Sequence, residues 1–319
     1  MLFRSEKKIM PDSVLGIDTS NYTTSAALLC NGEIVNRKKL LPVRQGERGL
    51  RQSEAVFHHV RQLPEVLTPL LERADKIAAI GVSDAPRRAE NSYMPCFSAG
   101  VSCAEILSAA VGVPTERFSH QQGHIAAALY SAGKLELLEH RFLAFHVSGG
   151  TTEALLVSPD QNGMPEAEIV AASLDLKAGQ AVDRVGVLLG MRFPCGPEME
   201  QEALKWEGKI HYRPAMKGNF CSLSGIENKC ILLQQQGHPK EEIARFCLEA
   251  IAVTLDAMCR GLLEEYKGLP VLFSGGVCSN SILRQRLQAG YSAYFAQPEF
   301  SSDNAAGVAL LAERKRCLS

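Results

Sequence analysis

The sequence predicts an α/β protein, and three observations carry that prediction. Short apolar runs alternate with segments whose apolar residues recur at helical spacing. A strand–turn–strand unit with a Thr-Thr step occurs twice, as VLGIDTSNYTTSAALL from Val14 and as FHVSGGTTEALLV from Phe145. A third strand, Val271 to Phe273, again runs into a Ser-Gly-Gly turn. The recurrence reads as one βββ-type unit used twice, once per domain. The length of 319 residues agrees with two domains, at roughly 150 residues each.

In chain order, Val14 to Asp18 is an apolar run ending in an acid, and Ser25 to Cys30 is a second run. Asn31-Gly32 is a hairpin signal, because a tight two-residue turn needs positive φ at both positions. The third run extends to Lys39, so three antiparallel strands fill the first forty residues. Ser53 suits the N-cap of a helix that carries Val56, Val60, Leu63 and Val66 on one face, with Pro64 placed to kink it. Ile77 to Val82 reads as a strand, and Ala99 to Val111 as a buried helix containing Val101, Ala104, Ile106 and Leu107. Phe142 to Val147 and Ala154 to Val157 are the strands of the second copy. Gly208 to Phe220 is irregular and polar; helices follow at Ile226 to Gln235 and Glu241 to Tyr266, then from about Asn280 and from about Asn304.

Composition narrows the function classes. With 34 Lys+Arg against 35 Asp+Glu the net charge is −1, which excludes coating nucleic acid by bulk charge but leaves room for a local basic patch. Residues 1–51 hold nine Lys/Arg against five acids, an excess that a solvated face also explains. The ten cysteines are scattered with no CxxC pair, as in reduced, mostly buried thiols of a cytoplasmic protein. The charged N-terminus predicts no secretory signal, and no apolar run is long enough for a membrane span.

Glycine-bearing turns after strands can present backbone N–H groups to phosphate oxygens, and two Ser-Gly-Gly turns plus a Thr-rich one point toward a nucleotide. None matches a Walker loop or a dinucleotide fingerprint. His120 and His124 in HQQGH are one helical turn apart, so they form either half of a divalent metal site or a packed helix start. Gln121 stands where the metallopeptidase pattern requires a general-base Glu, which disfavours that chemistry. Asp183 lies on the helix of Ala178, Ala181, Val182 and Val185, where it either caps something or reaches a ligand. Asp303 precedes the final helix in an N-cap position.

GIDTSNYTTSAAL, HQQGH, VSGGTTE, KAGQAVDRVGVLLG, SLSGIENK, SGGVCSN…LR and SSDNAAGVA stand in the order found in the TsaD-like tRNA threonylcarbamoyltransferases, formerly the O-sialoglycoprotein endopeptidase family. The resemblance spans roughly Val14 to Ala312. It implies the actin/Hsp70-like (ASKHA) fold, two duplicated lobes with a nucleotide cleft between them. Residues 1–13 would be a tail, 14–118 the first lobe with helix 304–319 packed back on it, and 119–303 the second lobe. By the same resemblance, His120, His124 and Asp303 look like the metal set, with iron or zinc as the cation. His146, Val147, Ser148, Gly149, Gly150, Asp183, Gly196 and Asn280 look like the site for an adenine nucleotide or threonylcarbamoyl-AMP. The implied reaction moves the threonylcarbamoyl group to the adenosine amine beside the tRNA anticodon, with TsaB/TsaE-like partner proteins.

The chain departs from the family pattern at several ionisable positions. Asn21-Tyr22-Thr23-Thr24 replaces an acidic pair, Thr151 a histidine and Gln122 an acid, and SDAPRRAENSYMP stands in place of a glycine-rich loop. Two readings follow: an enzyme of the family's type, or a divergent paralogue that binds nucleotide and metal as a scaffold or on another substrate. If tRNA is the acceptor, its phosphates must be held by the basic segments Arg37 to Arg51 or Arg87-Arg88, or by partner proteins.

Overall fold

The computed structural model describes residues 12–20, 22–42, 50–90, 92–300 and 304–318. Asp303, Asn21, most of the expected tail and residues 43–49 of the basic segment lie outside the described residues. The chain divides into two compact units. One comprises the described residues of Met1–Ala127, Asp160–Met164 and Asp303–Ser319; the other comprises those of Ala128–Pro159 and Pro165–Ser302.

In the first unit, β1 (Asp12–Asp18), β2 (Thr23–Cys30) and β3 (Glu33–Leu40) form an antiparallel meander. Its hairpin has Asn31 at φ 52° and Gly32 at φ 81°, the positive pair that the sequence signal requires. Helix α1 (Gln52–Leu71) leads to β4 (Lys76–Ala85), α2 (Phe97–Val111), β5 (Thr115–Ser119) and α3 (His120–Ser131). The sheet order is β3-β2-β1-β4-β5, with β1, β4 and β5 mutually parallel. The core comprises Leu15, Ile17, Leu28, Leu63, Val66, Leu70, Ile80 and Val82 among others.

Three expectations about the helices are corrected. Ser53 lies inside α1, which starts at Gln52 because Glu54 reaches back to accept the Arg51 amide at 3.2 Å. Val60 is 56% exposed, while Ala55, His59, Gln62 and Leu63 face inward, and the helix runs on past Pro64. Ile106 is 70% exposed. Helix α2 packs through Ala99, Gly100 and Ala104, and a residue two positions beyond Ala104 points to the opposite side at about 100° per residue.

The second unit repeats the plan. Strands β6 (Phe142–Val147), β7 (Thr152–Pro159) and β8 (Pro165–Ala172) form the meander. They precede α4 (Ala178–Leu188), α5 (Gly196–Ala203), a small hairpin of β9 (Ala215–Lys217) and β10 (Phe220–Ser222), α6 (Ser224–Gln235) and α7 (Lys240–Glu265). Strand β11 (Val271–Ser274), α8 (Ser281–Leu287) and β12 (Ala293–Phe295) complete it. The order β12-β11-β6-β7-β8 is that of the first sheet read from the other edge, with a meander joined to two parallel strands. The hairpin falls within the segment expected to be irregular, where three-residue strands are too short to show a period of two. All ten cysteines are free thiols, seven of them buried. Among the described residues no helix is long and apolar enough to cross a membrane.

The last helix of the chain, Ala306–Leu318, belongs to the first unit and lies on β1 and β4 at van der Waals distance. A Cβ on Gly81 would run into the backbone carbonyl of Val308, and one on Gly16 into that of Ala305. Gly81→Ala should therefore lower the free energy of unfolding by about 1–3 kcal/mol, read from the urea midpoint; an unchanged midpoint would show that the helix retreats freely.

In the second unit Asp175 ties two helix starts together. It accepts from the Leu223 amide at 2.7 Å, the Ser224 hydroxyl at 2.6 Å and the Leu176 amide at 2.6 Å. Burial opposes its ionisation, but the hydrogen bonds from Ser224, Leu223 and Leu176 outweigh burial and hold the carboxyl below its ordinary 3.8. A depressed carboxyl contributes stability above the unfolded value that is lost as pH falls through the folded value. The residue is exposed, so water screens the charge, and the cap hydrogen bonds carry most of the effect. Asp175→Asn should cost about 1 kcal/mol at pH 7, with the gap to wild type narrowing below pH 3.8 in chemical denaturation.

Candidate functional site

Parallel neighbours bring their carboxyl ends to one sheet edge, where open α/β sheets gather ligand-binding groups. In the first unit that edge carries Asp18 at the end of β1, Ser83 on β4, and His120 directly after β5. Asp18 is 1% exposed; its carboxylate accepts from the Ser20 amide at 2.8 Å and from the Ser83 hydroxyl. The His120 Nδ1 stands 2.8 Å from Asp18 Oδ2, and its Nε2 stands 2.8 Å from the Nε2 of His124. Burial works against the Asp18 charge, yet His120 beside it, with the Ser20 amide and Ser83 hydroxyl, keeps the carboxyl below its usual range.

This donor set fits a divalent cation. A carboxylate accepts only, so His120 donates from Nδ1; in its neutral form the ring then turns a lone pair on Nε2 toward His124, the carboxylate–histidine arrangement of metal centres. Among the described residues no cluster of three or more His, Cys, Asp or Glu side chains forms a metal site, and Asp303 lies outside them. Next to the pair, Gln122 Oε1 accepts the Ser119 amide at 2.8 Å and the Arg88 Nε at 3.3 Å, and Arg88 also pairs with Asp84 at 2.9 Å. Gln122 is thus engaged in capping its own helix.

In the second unit the two Ser-Gly-Gly turns end adjacent parallel strands, β6 and β11. Gly275, at φ 95°, takes a conformation that favours glycine, and a Cβ there would strike the Val147 backbone. Gly179 opens α4 against the first turn: its amide donates to Ser148 O at 3.1 Å, and a Cβ would lie 2.6 Å from the Gly149 nitrogen. The turns and the starts of α4, α5 and α8 enclose a cavity of about 410 Å³, within the range of small-molecule sites. Its wall is apolar at Val182, Pro194, Pro197, Leu248 and Val277, with the carboxylates Asp183 and Glu200 and the polar Ser148, Ser279 and Asn280. No Lys or Arg is among these lining residues, so the wall offers backbone amides for anions and carboxylates for hydroxyl or amine donors.

Of the residues that the family resemblance assigned to a nucleotide, Ser148, Gly149, Asp183, Gly196 and Asn280 line this cavity, while His146, Val147 and Gly150 do not. Val147 is buried in the core, and His146 Nδ1 lies 3.2 Å from Ser274 Oγ, which itself donates to Phe145 O. Asp183 accepts the Cys195 amide at 2.8 Å, so it fastens the start of α5 while lining the cavity. The thiols beside the cavity are poor nucleophiles: burial raises Cys195, with Asp183 adding to it, and burial pushes Cys278 up to about 12.

The sequence reasoning missed Gly179, Val182, Glu200, Leu248 and Ser279. Gly179 stands one helical turn before Asp183, and Glu200 one turn after Gly196, so spacing alone could have found both. Leu248 sits in the middle of α7 among similar apolar residues and left no signal.

Residues 33–310 match the family model for TsaD, tRNA N6-adenosine threonylcarbamoyltransferase. Two relatives carrying that name come from Thermosipho africanus and Thermus thermophilus. The first is 30% identical over 317 residues, covering 93% of this chain and 92% of the relative. The second is 31% identical over 311 residues, covering 95% and 92%. Among solved structures, full-length HypF in its phosphate- and nucleotide-bound form aligns with TM-score 0.59 at 14% identity, over 97% of this chain and 56% of that one. Component A of (R)-2-hydroxyglutaryl-CoA dehydratase from Acidaminococcus fermentans aligns with TM-score 0.55 at 18% identity, over 96% and 99%. At these identities the likeness speaks for the fold alone, which is actin/Hsp70-like. The extent of the family match and the full-length relatives together establish that the chain belongs to the TsaD family of tRNA N6-adenosine threonylcarbamoyltransferases.

Proposed function

We propose that this protein transfers the threonylcarbamoyl group of threonylcarbamoyl-AMP to the amine of the adenosine next to the anticodon in tRNA. The observation that carries the reading is the cavity of the second unit, where Ser148, Gly149, Asp183, Gly196 and Asn280 converge from segments far apart in sequence. In the reaction the amine nitrogen bonds to the carbamoyl carbon, the bond from that carbon to the phosphate oxygen breaks, AMP departs and the amine loses a proton. The chain's own part is to hold and orient. The turn amides around Ser148–Gly149 and the start of α4 suit the phosphate of the leaving group. The Asp183 and Glu200 carboxylates suit ribose hydroxyls or the base amine, and the apolar wall suits the base.

The proposed metal is iron or zinc, held by His120 and His124 with Asp303. Such a cation would polarise the carbonyl or screen the phosphate when bound. Asp18 is the residue that sets the ring and tautomer of His120. For tRNA, the described basic residues that fit are Arg37, Lys38 and Lys39 on β3, the edge strand, where Lys39 also pairs with Glu65 at 2.5 Å, together with Arg51, or else Arg87 and Arg88. TsaB/TsaE-like partners and a cytoplasmic location complete the proposal, the latter supported by ten free thiols.

One observation favours a second reading, a paralogue without the transfer. Thr24, in the segment that replaces the family's acidic pair, turns its hydroxyl into the core, 2.8 Å from both His59 Nδ1 and Gln62 Oε1. No acid stands there to take a proton. The protein with its partner proteins, unmodified tRNA, threonine, bicarbonate and ATP should yield the modified nucleoside; no product while a relative's enzyme works would select the paralogue. Asp18→Asn should weaken binding of the added cation by about 10- to 100-fold in a chelator competition, and should also lower thermal stability, because the fold favours the ionised carboxyl there. Equal affinity would remove Asp18 from the metal reading.

A further inference from the structure

We infer that residues 209–217 of the second unit are a nucleic-acid surface that holds the sugar–phosphate backbone of the tRNA, adding to the basic residues of the first unit; the inference rests on the tRNA reading of the acceptor. Exposure along the segment alternates strictly. Lys209, His211, Arg213, Ala215 and Lys217 are exposed, while Ile210, Tyr212, Pro214 and Met216 are partly buried. The segment contains no turn and ends in β9, and Arg213 stands before a proline, which keeps its backbone extended. Alternate residues of an extended chain share a side. The two lysines, the arginine and the histidine therefore stand outward in one row, while Ile210, Tyr212 and Met216 pack on the core. No Asp or Glu occurs between Glu207 and Glu227. Among the described residues none of the four basic side chains forms an ion pair, whereas Lys205 just before them is held by Glu202 at 2.6 Å.

The row is anchored along its length. At its start the Gly208 backbone lies against the Trp206 ring, where a Cβ would come within 2.5 Å of Nε1. In its middle the Tyr212 ring meets Phe246 of α7 edge-on, with 5.8 Å between centroids. At its end β9 pairs with β10, and Asn219 Nδ2 in the turn between them donates to Glu265 at 3.4 Å. Like charges fixed on a water-facing row add nothing to the fold and repel one another, so the arrangement calls for a partner of repeated negative charge. At about 3.3 Å per residue an extended row of this length reaches about 26 Å, the scale of a polyanionic strand and more than a single phosphate needs. The outward row has no large apolar side chain and no acid with which to read a protein surface, whereas contacts to phosphates need neither. An edge strand guarded against pairing with another chain needs only a lysine. On β9 that is Lys217, and Lys209 and Arg213 lie outside the strand.

The test is fluorescence anisotropy of labelled, unmodified tRNA over a salt series with three proteins: wild type, the triple variant Lys209→Ala, Arg213→Ala, Lys217→Ala, and the charge-keeping variant Lys209→Arg, Arg213→Lys, Lys217→Arg. The alanine variant should lose about 10- to 100-fold in affinity at about 0.1 M salt, and its salt slope should be shallower by about two to three. The charge-keeping variant should bind as wild type does. The loss should be the same for a tRNA with guanosine in place of the target adenosine, because phosphate contacts carry no sequence information. All three proteins should melt at the same temperature, since the exchanged side chains have no ion-pair partner in the fold. Equal affinity of wild type and the alanine variant, or a loss confined to the adenosine-bearing tRNA, would overturn the inference while leaving the tRNA reading intact. So would an alanine variant that melts lower, which gives the row to the fold, or one that keeps tRNA but loses a labelled polyglutamate, which gives it to an acidic protein. If wild type binds no tRNA even at low salt, the acceptor reading fails and the inference with it.

Discussion

The second unit depends on backbone segments lying closer together than any side chain would permit. Gly179 brings the first turn of α4 onto the Ser148–Gly149 peptide, and Gly275 lets the turn after β11 pass over Val147. These approaches put strand-end amides and a helix start around one space, an arrangement that suits an anion without any cationic side chain. The rest of the wall is arranged from there. Asp183, four residues into α4 from Gly179, reaches across to the start of α5, and Glu200 on α5 reaches the start of α8. Among the helices that wall the cavity, α4 is thus tied to α5 and α5 to α8 by a carboxylate on a backbone amide.

The first unit solves a different problem, a carboxylate placed almost out of water. Burial of Asp18 is unfavourable by itself, and it is tolerated because an amide, a hydroxyl and an imidazole all face the carboxylate. In its neutral form His120 then has one defined tautomer and so one defined acceptor nitrogen. A buried acid that orients an imidazole is more informative about function than an exposed one, since its stability cost must be met by partners that the fold supplies.

Two of the positions read from the sequence as departures, Gln122 and Thr24, have local work. Gln122 caps α3, and Thr24 joins His59 and Gln62 in a buried network whose far end, Gln62 Nε2, donates to Leu40 O at 3.0 Å. Both changes leave the His120–His124 pair and the cavity wall in place, so binding and chemistry have separate residues to answer for them.

The strand–helix alternation, the Asn31-Gly32 hairpin, the repeated meander and the histidine pair were all legible in the sequence, because each is a pattern among residues within a few positions of one another. Helix faces were legible only in part: Val60 and Ile106 fit an apolar stripe by type, but the stripe that packs is chosen by which neighbours present small residues, as Ala99, Gly100 and Ala104 do on α2. What tertiary structure alone decided are the long-range pairings. Asp18 meets His120 across 102 positions and Glu200 meets Ser281 across 81, and nothing local in either segment records the other.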